Sequence, residues 1–177
     1  YCCSRPFAQS IRESNRTGCR SINFCSVSGL LGNFGQSNYG APTAGLAGYS
    51  RVLDLELAKY GCSVNNISPG AATRLTIPLM EGRGDEDAAK DLARSPAQIA
   101  PVVTWLASEA AQDFTAQILN VMQGELGIMQ QPKVIRAFKK EDALFTLDEL
   151  DRLMPELLDA KLAHDERAGK EGTAEPV

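Results

Sequence analysis

A serine and a tyrosine are the side chains of this sequence most able to do chemistry. Ser26 closes an apolar run, and Tyr39 follows thirteen residues later, after a glycine-rich loop. A tyrosine is a poor acid or base at neutral pH because its ordinary pKa is about 10. A cation placed four residues later on the same helical face would stabilise the phenolate. With a serine hydroxyl holding a carbonyl oxygen nearby, this pattern predicts proton transfer in carbonyl or alcohol chemistry.

The residue four positions after Tyr39 carries no charge. It is Thr43, within the stretch YGAPT, and a hydroxyl group cannot lower the pKa of a tyrosine as an ammonium group would. Its neighbour Pro42 lacks a backbone N–H. If the helix has begun by Asn38, this proline lies inside it at a cost of about 3 kcal/mol; if the helix begins near Tyr39, the first turn tolerates it. The sequence leaves both readings open.

The elements that must position these residues alternate between strand and helix. Residues 21–26 are typical of a short strand buried on both faces, and residues 36–60 have the apolar spacing of a long helix that Gly61 ends. Residues 62–67 predict a second buried strand, broken by the Pro69–Gly70 pair. Strand, helix and strand in this order indicate a parallel crossover.

The flanking sequence continues the alternation. We expect a helix ending near residue 13, a helix beginning at Ser95 and Pro96, and a last strand over residues 118–122. Residues 71–94 form an irregular segment and a candidate lid. Its apolar side chains either line an apolar substrate pocket or anchor the segment to the domain; they are Leu75, Ile77, Leu79 and Met80.

The C-terminal part departs from this alternation. Thr146 and Glu149 have the spacing of a capping box ahead of an amphipathic helix, and Pro155 predicts a kink or a restart. The apolar face of this helix fits an oligomer contact. From about residue 169 the composition is small or charged, which predicts disorder.

These motifs together resemble the short-chain dehydrogenase/reductase family. That family has a serine at a strand end, a glycine-rich loop and Y-x-x-x-K, and SVSGLLGNFGQSN is similar to its loop. VNNISPG resembles the family motif N-x-x-x-PG, and WLASEAAQDFTAQILNV is similar to its last helix and strand, with Ala116 replacing a glycine and MQGE standing where a double glycine is common. The likeness covers residues 1–124, and Thr43 at the lysine position is its main departure.

The resemblance implies an α/β fold with a Rossmann-like, doubly wound parallel sheet. We therefore expect residues 1–124 to be the C-terminal portion of an NAD(P)-binding domain, 125–168 a helical extension and 169–177 a disordered tail. The N-terminal part of such a domain would be missing before Tyr1, and with it the glycine-rich fingerprint, the residue that chooses NAD or NADP, and the family's catalytic asparagine.

The resemblance also implies roles for individual residues. Ser26 would orient a substrate carbonyl, and Tyr39 would donate or remove its proton while hydride passes to or from NAD or NADP. The cofactor contacts carried over from the family are Tyr39, Pro69, Gly70, Ala72 and Thr73. The small-molecule substrate would be a secondary alcohol or ketone. It is expected to be lipophilic, because the long tail over residues 130–162 resembles that of family subgroups acting on acyl-CoA or other bulky lipophilic substrates; the apolar face of the tail helix equally fits an oligomer contact. The family usually pairs subunits through the helix at 36–60, which predicts a homo-oligomer.

The composition argues against several other classes of protein. A net charge of −4, a pI of about 5.1 and the lack of a basic cluster argue against a nucleic-acid partner. The five cysteines show no paired metal-ligand spacing, and they are typical of reduced thiols in a cytoplasmic protein. The most apolar run, residues 99–107, is too short to span a bilayer.

Three readings remain at this point. The first is an NAD(P)-dependent oxidoreductase of secondary alcohols and ketones, impaired in this chain by Thr43. The second is a non-catalytic relative that keeps the fold and its pairing as a binding or scaffold subunit. The third is a portion that does not fold stably by itself, because its parallel sheet would expose a hydrophobic edge.

Overall fold

A computed structural model describes residues 1–78, 94–141 and 144–171, with side chains to residue 166. Most of the predicted lid, including Leu79 and Met80, lies outside the described residues. The chain divides into two compact units, Tyr1–Gln130 and Gln131–Val177. This division falls six residues after the boundary predicted at 124.

The first unit alternates helices and strands in the predicted order. Its elements are α1 (Ser4–Ser14), β1 (Arg20–Phe24), α2 (Val27–Leu30), α3 (Ser37–Leu57), β2 (Ser63–Gly70), α4 (Ala100–Ala107), β3 (Ile118–Met122) and β4 (Glu125–Ile128). Short 3-10 turns lie at Ala58–Tyr60, Pro96–Gln98 and Glu109–Ala111. Gly61 follows α3 and its 3-10 turn in the left-handed conformation (φ 62°), as predicted for a helix stop.

The described strands form one sheet in the order β1-β2-β3-β4. β1 pairs in parallel with β2, with Phe24 opposite Ile67, and β2 pairs in parallel with β3. β3 and β4 are antiparallel. The predicted α/β fold with a parallel sheet is confirmed for β1, β2 and β3, and β4 adds one antiparallel strand.

β4 is an element that the sequence did not predict, because β3 was expected to be the last strand. The two strands are joined at Gln123 and Gly124, which both have positive φ values of 55° and 79°. Such backbone twist suits a two-residue hairpin turn, and its usual sequence signals are Asn-Gly or Asp-Gly. Because the first turn residue here is Gln123 instead of asparagine or aspartate, the sequence carries no clear signal for this turn.

Helices cover both faces of the sheet. Val64 and Ile67 of β2 are fully buried and three residues apart, so they point to opposite faces. Val64 packs with Ile11 of α1 and with Leu53 of α3, together with Leu57 and Cys62. Ile67 packs on the other side with Leu106 of α4, together with Ala111, Leu119 and Val121. This is the doubly wound arrangement.

β2 extends through Pro69 and Gly70, so the prediction that these residues break the strand was wrong. They pair with Val121 and Met122 of β3. The register between β1 and β2 has ended by then, at Phe24. A proline without an N–H is tolerated there because that side of β2 is no longer in the ladder with β1.

The start of α3 resolves the two readings of Pro42. The helix begins at Ser37, so this proline lies inside it, as the sixth helical residue. The carbonyl of Asn38 therefore lacks the helical N–H partner that residue 42 would otherwise supply. The interior reading is the one that the structure supports.

The second unit contains one long helix, α5 (Leu147–Glu171), which includes Pro155 without interruption. The predicted capping box is present: the Glu149 carboxylate accepts from the Thr146 N–H at 2.8 Å, and the Glu149 N–H donates to Thr146 Oγ1 at 3.3 Å. The helix ends three residues after residue 168, and residues 172–177 lie outside the described part of the chain. No helix in the described ranges is long and apolar enough to cross a membrane.

Candidate active site

Ser26 is held at the carboxyl end of β1. The Cys25 N–H donates to the Ile67 carbonyl at 2.8 Å, which extends the pairing with β2 by one bond. Ser26 then turns into the N-cap of α2 with extended backbone angles, and its Oγ accepts from the Ser28 N–H at 3.2 Å. The side chain accepts in this bond, so its own hydrogen remains available to a carbonyl oxygen.

Two glycines allow α2 to lie directly against α3. A Cβ atom added at Gly29 would be 2.7 Å from the Gly40 carbonyl oxygen and would also collide with the Thr43 hydroxyl group. A Cβ atom added at Gly40 would be 3.1 Å from the Ser28 carbonyl oxygen. The helix that begins at the serine and the helix that carries the tyrosine are therefore fixed against each other by backbone contact.

Gln36 connects these two helices through hydrogen bonds. Its Oε1 accepts from the Ser28 hydroxyl at 2.7 Å and from the Asn33 amide at 2.8 Å. Its backbone carbonyl accepts from the Tyr39 N–H at 3.1 Å. A continuous path of polar contacts thus runs from the Ser26 cap to the first turn of α3. Sequence reasoning missed Gln36, and only its place at the start of the predicted helix could have indicated it.

Tyr39 is the third residue of α3, and half of its surface is exposed. Among the residues that the structure describes, no side chain hydrogen-bonds its phenol group. The hydroxyl is therefore open to a ligand. The structure places Ser26 and Tyr39 on adjoining, mutually packed elements.

The Thr43 hydroxyl is turned back onto its own helix. It donates to the Tyr39 carbonyl at 3.0 Å and to the Gly40 carbonyl at 3.1 Å, sharing one hydrogen between them. These are backbone contacts and not contacts with the phenol. Thr43 consequently supplies neither charge nor a hydrogen bond to the Tyr39 side chain.

The predicted cofactor contacts Pro69 and Gly70 lie at the carboxyl end of β2, on the same side of the sheet as Ser26 at the carboxyl end of β1, because the two strands run parallel. The Met122 side chain fills the space beside Gly70, so that an added Cβ atom would be 2.6 Å from the Met122 sulfur. Gln98 also contacts this end of β2: its amide donates to the Gly70 carbonyl at 3.1 Å and accepts from the Gly124 N–H at 3.0 Å. Sequence reasoning did not single out Gln98.

The two remaining predicted cofactor contacts, Ala72 and Thr73, already use their backbone N–H groups in hydrogen bonds within the protein. Ala72 is buried, and its N–H donates to the Arg94 carbonyl at 2.7 Å. The Thr73 N–H donates to Thr76 Oγ1 at 2.7 Å, and the two threonine hydroxyls lie 3.2 Å apart. Nearby, Leu75 has 85% of its surface exposed, so it does not line an enclosed pocket within the described residues.

Cys25, next to Ser26, belongs to the core. It is 4% exposed and packs with Ala47 and Ile118. Burial raises the pKa of its thiol, and hydrogen bonds from the backbone of Cys25 and Ser26 offset only part of that rise. A thiol that keeps its proton is a weak nucleophile, which agrees with a packing role.

Comparison with known proteins gives a consistent family. The sequence model of the short chain dehydrogenase family matches residues 2–83. A 3-oxoacyl-[acyl-carrier-protein] reductase of Salmonella typhimurium is 38% identical over 112 residues, which is 59% of this chain and 45% of that protein. A hydroxyacyl-CoA dehydrogenase of Mycobacterium tuberculosis is 30% identical over 131 residues, which is 74% of this chain and 41% of that protein.

A solved structure agrees with the sequence matches. The crystal structure of a short chain dehydrogenase from Mycobacterium avium superposes with a TM-score of 0.70 at 29% identity, covering 88% of this chain and 50% of that one.

These matches support membership of the short-chain dehydrogenase/reductase family. The family resemblance and the Rossmann-type fold predicted from the sequence are thereby confirmed. This short-chain dehydrogenase/reductase chain spans less than half of the length of the two curated relatives that it matches. As a family member it is related to oxidoreductases. The catalytic and cofactor-binding roles of its individual residues stay predictions.

Proposed function

We propose that this short-chain dehydrogenase/reductase takes part in the NAD(P)-dependent interconversion of a secondary alcohol and a ketone, with low activity in its present form. The observation that carries the proposal is the connected geometry of Ser26 and Tyr39. A buried serine that keeps its hydrogen and a tyrosine with an open phenol are joined through Gln36 at the carboxyl edge of a parallel sheet. Ligands of doubly wound sheets bind at that edge.

In the reduction direction, the Ser26 hydroxyl would donate a hydrogen bond to the substrate carbonyl and hold it in place. Tyr39 would transfer its phenolic proton to the same oxygen as that oxygen gains negative charge. When bound, the nicotinamide cofactor supplies the hydride in this direction and accepts it in the other.

The residues present fit such a cofactor in part. In this proposal the open Tyr39 phenol and the end of β2 at Pro69 and Gly70 would contact the cofactor, with Ala72 and Thr73 following. The Thr73 N–H is already bonded to Thr76, and Thr43 offers no ammonium group to a ribose. We infer weakened cofactor contacts, and the choice between NAD and NADP stays open.

We place the substrate among lipophilic oxoacyl or hydroxyacyl thioesters. Two relatives carry names of that kind, an oxoacyl-carrier-protein reductase and a hydroxyacyl-CoA dehydrogenase. The strongly exposed Leu75 lies shortly after the cofactor turn, where an acyl chain would gain apolar contact. We also propose a cytoplasmic location, which the absence of disulfides among the five cysteines in the structure supports.

The second candidate function is a non-catalytic binding or scaffold subunit, and Thr43 is the observation that favours it. Its hydroxyl donates to backbone carbonyls of α3, a helix that lacks one backbone hydrogen bond at Pro42, and such contacts suit a structural role. Such a subunit would pair with a second copy through α3, on which Val52 and Leu55 are exposed. The same pairing is our proposal for the enzyme.

The test is turnover by protein expressed from the complete coding sequence. Oxidation of NADH or NADPH is followed with a 3-oxoacyl-CoA thioester, and the reverse reaction with the hydroxyacyl thioester. We expect a slow rate that Tyr39→Phe abolishes and Ser26→Ala lowers by about 10²-fold or more. Tyr49→Phe is the matched control, because Tyr49 lies on the same helix and packs edge-on against Tyr1.

Two outcomes would reject the enzyme proposal. One is a rate that is the same in the wild type and in Tyr39→Phe. The other is no nicotinamide binding by calorimetry together with stable dimers or tetramers by light scattering, which would support the scaffold subunit.

A further inference from the structure

Two cysteines lie side by side at the amino-terminal ends of β1 and β2, whereas the candidate active site lies at the carboxyl ends of the strands. Cys19 comes directly before β1, and Cys62 comes directly before β2. The first residues of the two strands, Arg20 and Ser63, are register partners, and the Ser63 N–H donates to the Cys19 carbonyl at 3.0 Å. The cysteines therefore occupy neighbouring positions one step before the paired register.

Neighbouring parallel strands have the spacing that a disulfide needs. Adjacent strands lie about 4.8 Å apart, and bridged cysteines have Cα atoms about 4.4–6.8 Å apart. Both side chains also face the same apolar cluster, since Cys19 packs against the core that contains Cys62 and Val64. The two thiols thus share one side of the sheet and one set of neighbours.

We propose that Cys19 and Cys62 form a peroxide-sensitive dithiol that closes to a disulfide across the starts of β1 and β2. Cys19 is partly exposed and Cys62 is 5% exposed, so a small oxidant reaches Cys19 first. The other cysteines differ in placement: Cys25 is buried on its own in another cluster, and Cys2 and Cys3 are exposed at the chain start.

The protonation of the Cys62 thiol also favours Cys19 as the first sulfur to react. Burial raises the pKa of Cys62; the Cys19 backbone lowers that pKa, whereas the nearby Cys19 thiol raises it again. Cys62 consequently keeps its proton, and the Cys62 thiol donates weakly to the Tyr60 carbonyl at 3.7 Å. Cys19 is then the attacking sulfur, because it is the more exposed of the two, and Cys62 is the resolving thiol.

The oxidant in this proposal is hydrogen peroxide or another hydroperoxide. The Cys19 thiolate attacks one peroxide oxygen, the O–O bond breaks, and Cys19 becomes a sulfenic acid while hydroxide leaves and takes up a proton. The Cys62 sulfur then attacks the Cys19 sulfur; the S–S bond forms, the S–O bond breaks, and the hydroxyl group leaves as water with the Cys62 proton. Two thiols and one hydrogen peroxide give one disulfide and two waters.

The disulfide would enclose β1, α2 and α3, the elements that carry Ser26 and Tyr39. Closing this loop restricts the unfolded chain, so the oxidised protein should be harder to unfold. Because the crosslink lies at the opposite edge of the sheet, it would not touch the candidate site. The inference is independent of the proposed reaction.

The test uses the full chain with Cys2→Ser and Cys3→Ser, two exposed positions whose change leaves the core intact. After treatment with hydrogen peroxide, we expect a non-reduced proteolytic digest to contain one peptide joining Cys19 to Cys62, 2 Da lighter than the sum of its parts. We expect the melting temperature to rise by about 5–10 °C, and dithiothreitol to reverse both changes.

Cys62→Ser in the same background serves as the control. Without its resolving partner, Cys19 should proceed to sulfinic acid and the melting temperature should not rise. The proposal is overturned if the protein with both cysteines yields Cys19 sulfinic acid with Cys62 still reduced, or if the joined peptide forms only in denaturant.

Discussion

The side chain four residues after Tyr39 controls how easily the phenol can exchange a proton. An ammonium group at that distance would favour the phenolate, because opposite charges within about 4–6 Å favour the charged form. Thr43 provides a hydroxyl group, and both of its contacts are with backbone carbonyls. In our proposal, the low activity therefore follows chiefly from Thr43, together with the weakened cofactor contact at Thr73.

Gly29 is the residue on which the contact between α2 and α3 most depends. In Gly29→Ala the new methyl group would meet the Gly40 carbonyl oxygen and the Thr43 hydroxyl, and neither helix backbone can move away easily. We expect the free energy of unfolding to fall by about 1–3 kcal/mol. Urea denaturation at constant pH measures this change.

Gly45→Ala is the matched control for that substitution. Gly45 lies in α3, the helix against which Gly29 packs, and a Cβ atom added there would meet nothing within 4 Å. Alanine should stabilise the helix by about 0.5–1 kcal/mol, because glycine loses more backbone entropy on folding. Equal destabilisation by both substitutions would contradict the role assigned to the α2–α3 contact.

The spacing of Ser26 and Tyr39 was sufficient to find the candidate catalytic pair. The residues that connect and support the site were not found, because Gln36 and Gln98 act through side-chain contacts with residues brought close by folding. A glutamine has no pattern of its own in a sequence. Its partners become visible only when the helices are packed.

Among the elements, those with a strong apolar period were predicted well. Helix α3 and strand β3 lie where the sequence placed them. The errors fall at β4 and at Pro69, where local chemistry argued against strand and the pairing with β3 prevailed. Pairing is a property of two segments, so one segment read alone could not reveal it.

The start of α5 should be sensitive to acid through Glu149. A hydrogen bond from Lys140, followed by those from the Thr146 backbone and hydroxyl, lowers the pKa of this carboxyl to about 2. A lowered pKa contributes stability above the unfolded value of about 4.3, and the contribution is lost as pH falls through about 2. We expect helical circular dichroism to decrease across this window.

Glu149→Gln should remove that pH dependence, because the amide cannot titrate yet can still occupy the capping position. Glu156→Gln, an exposed change in the same helix, should leave the acid transition as in the wild type. A transition of the same size in Glu149→Gln would show that other carboxyl groups are responsible.

In the molecule as a whole, the strands of the described sheet differ in how well they are shielded from solvent and from further pairing. β2 has a partner on each side, whereas within the described residues β1 pairs only with β2. Phe24 at the end of β1 is 49% exposed, while Val64 and Ile67 of β2 are fully buried. An edge strand with exposed apolar surface is also a site of unwanted pairing.

Amide hydrogen exchange measures this difference directly. We expect amides of β1 to exchange at least about 10-fold faster than those of β2, because local opening requires less free energy at the edge. Fast exchange in both strands would mean that the sheet is not stably formed, which is the third reading of the sequence. Equal, strong protection would mean that β1 is covered by a further partner.

Restoring a cation four residues after Tyr39 shows whether the phenol transfers the proton and whether Thr43 limits that transfer. In protein from the complete coding sequence, nicotinamide-dependent turnover of an oxoacyl thioester is compared for the wild type, Thr43→Lys and the double variant Thr43→Lys with Tyr39→Phe. We predict that lysine raises the rate by about 10²-fold or more and that the double variant loses the gain completely. An unchanged rate in Thr43→Lys, or a gain that survives the loss of the phenol, would contradict the account.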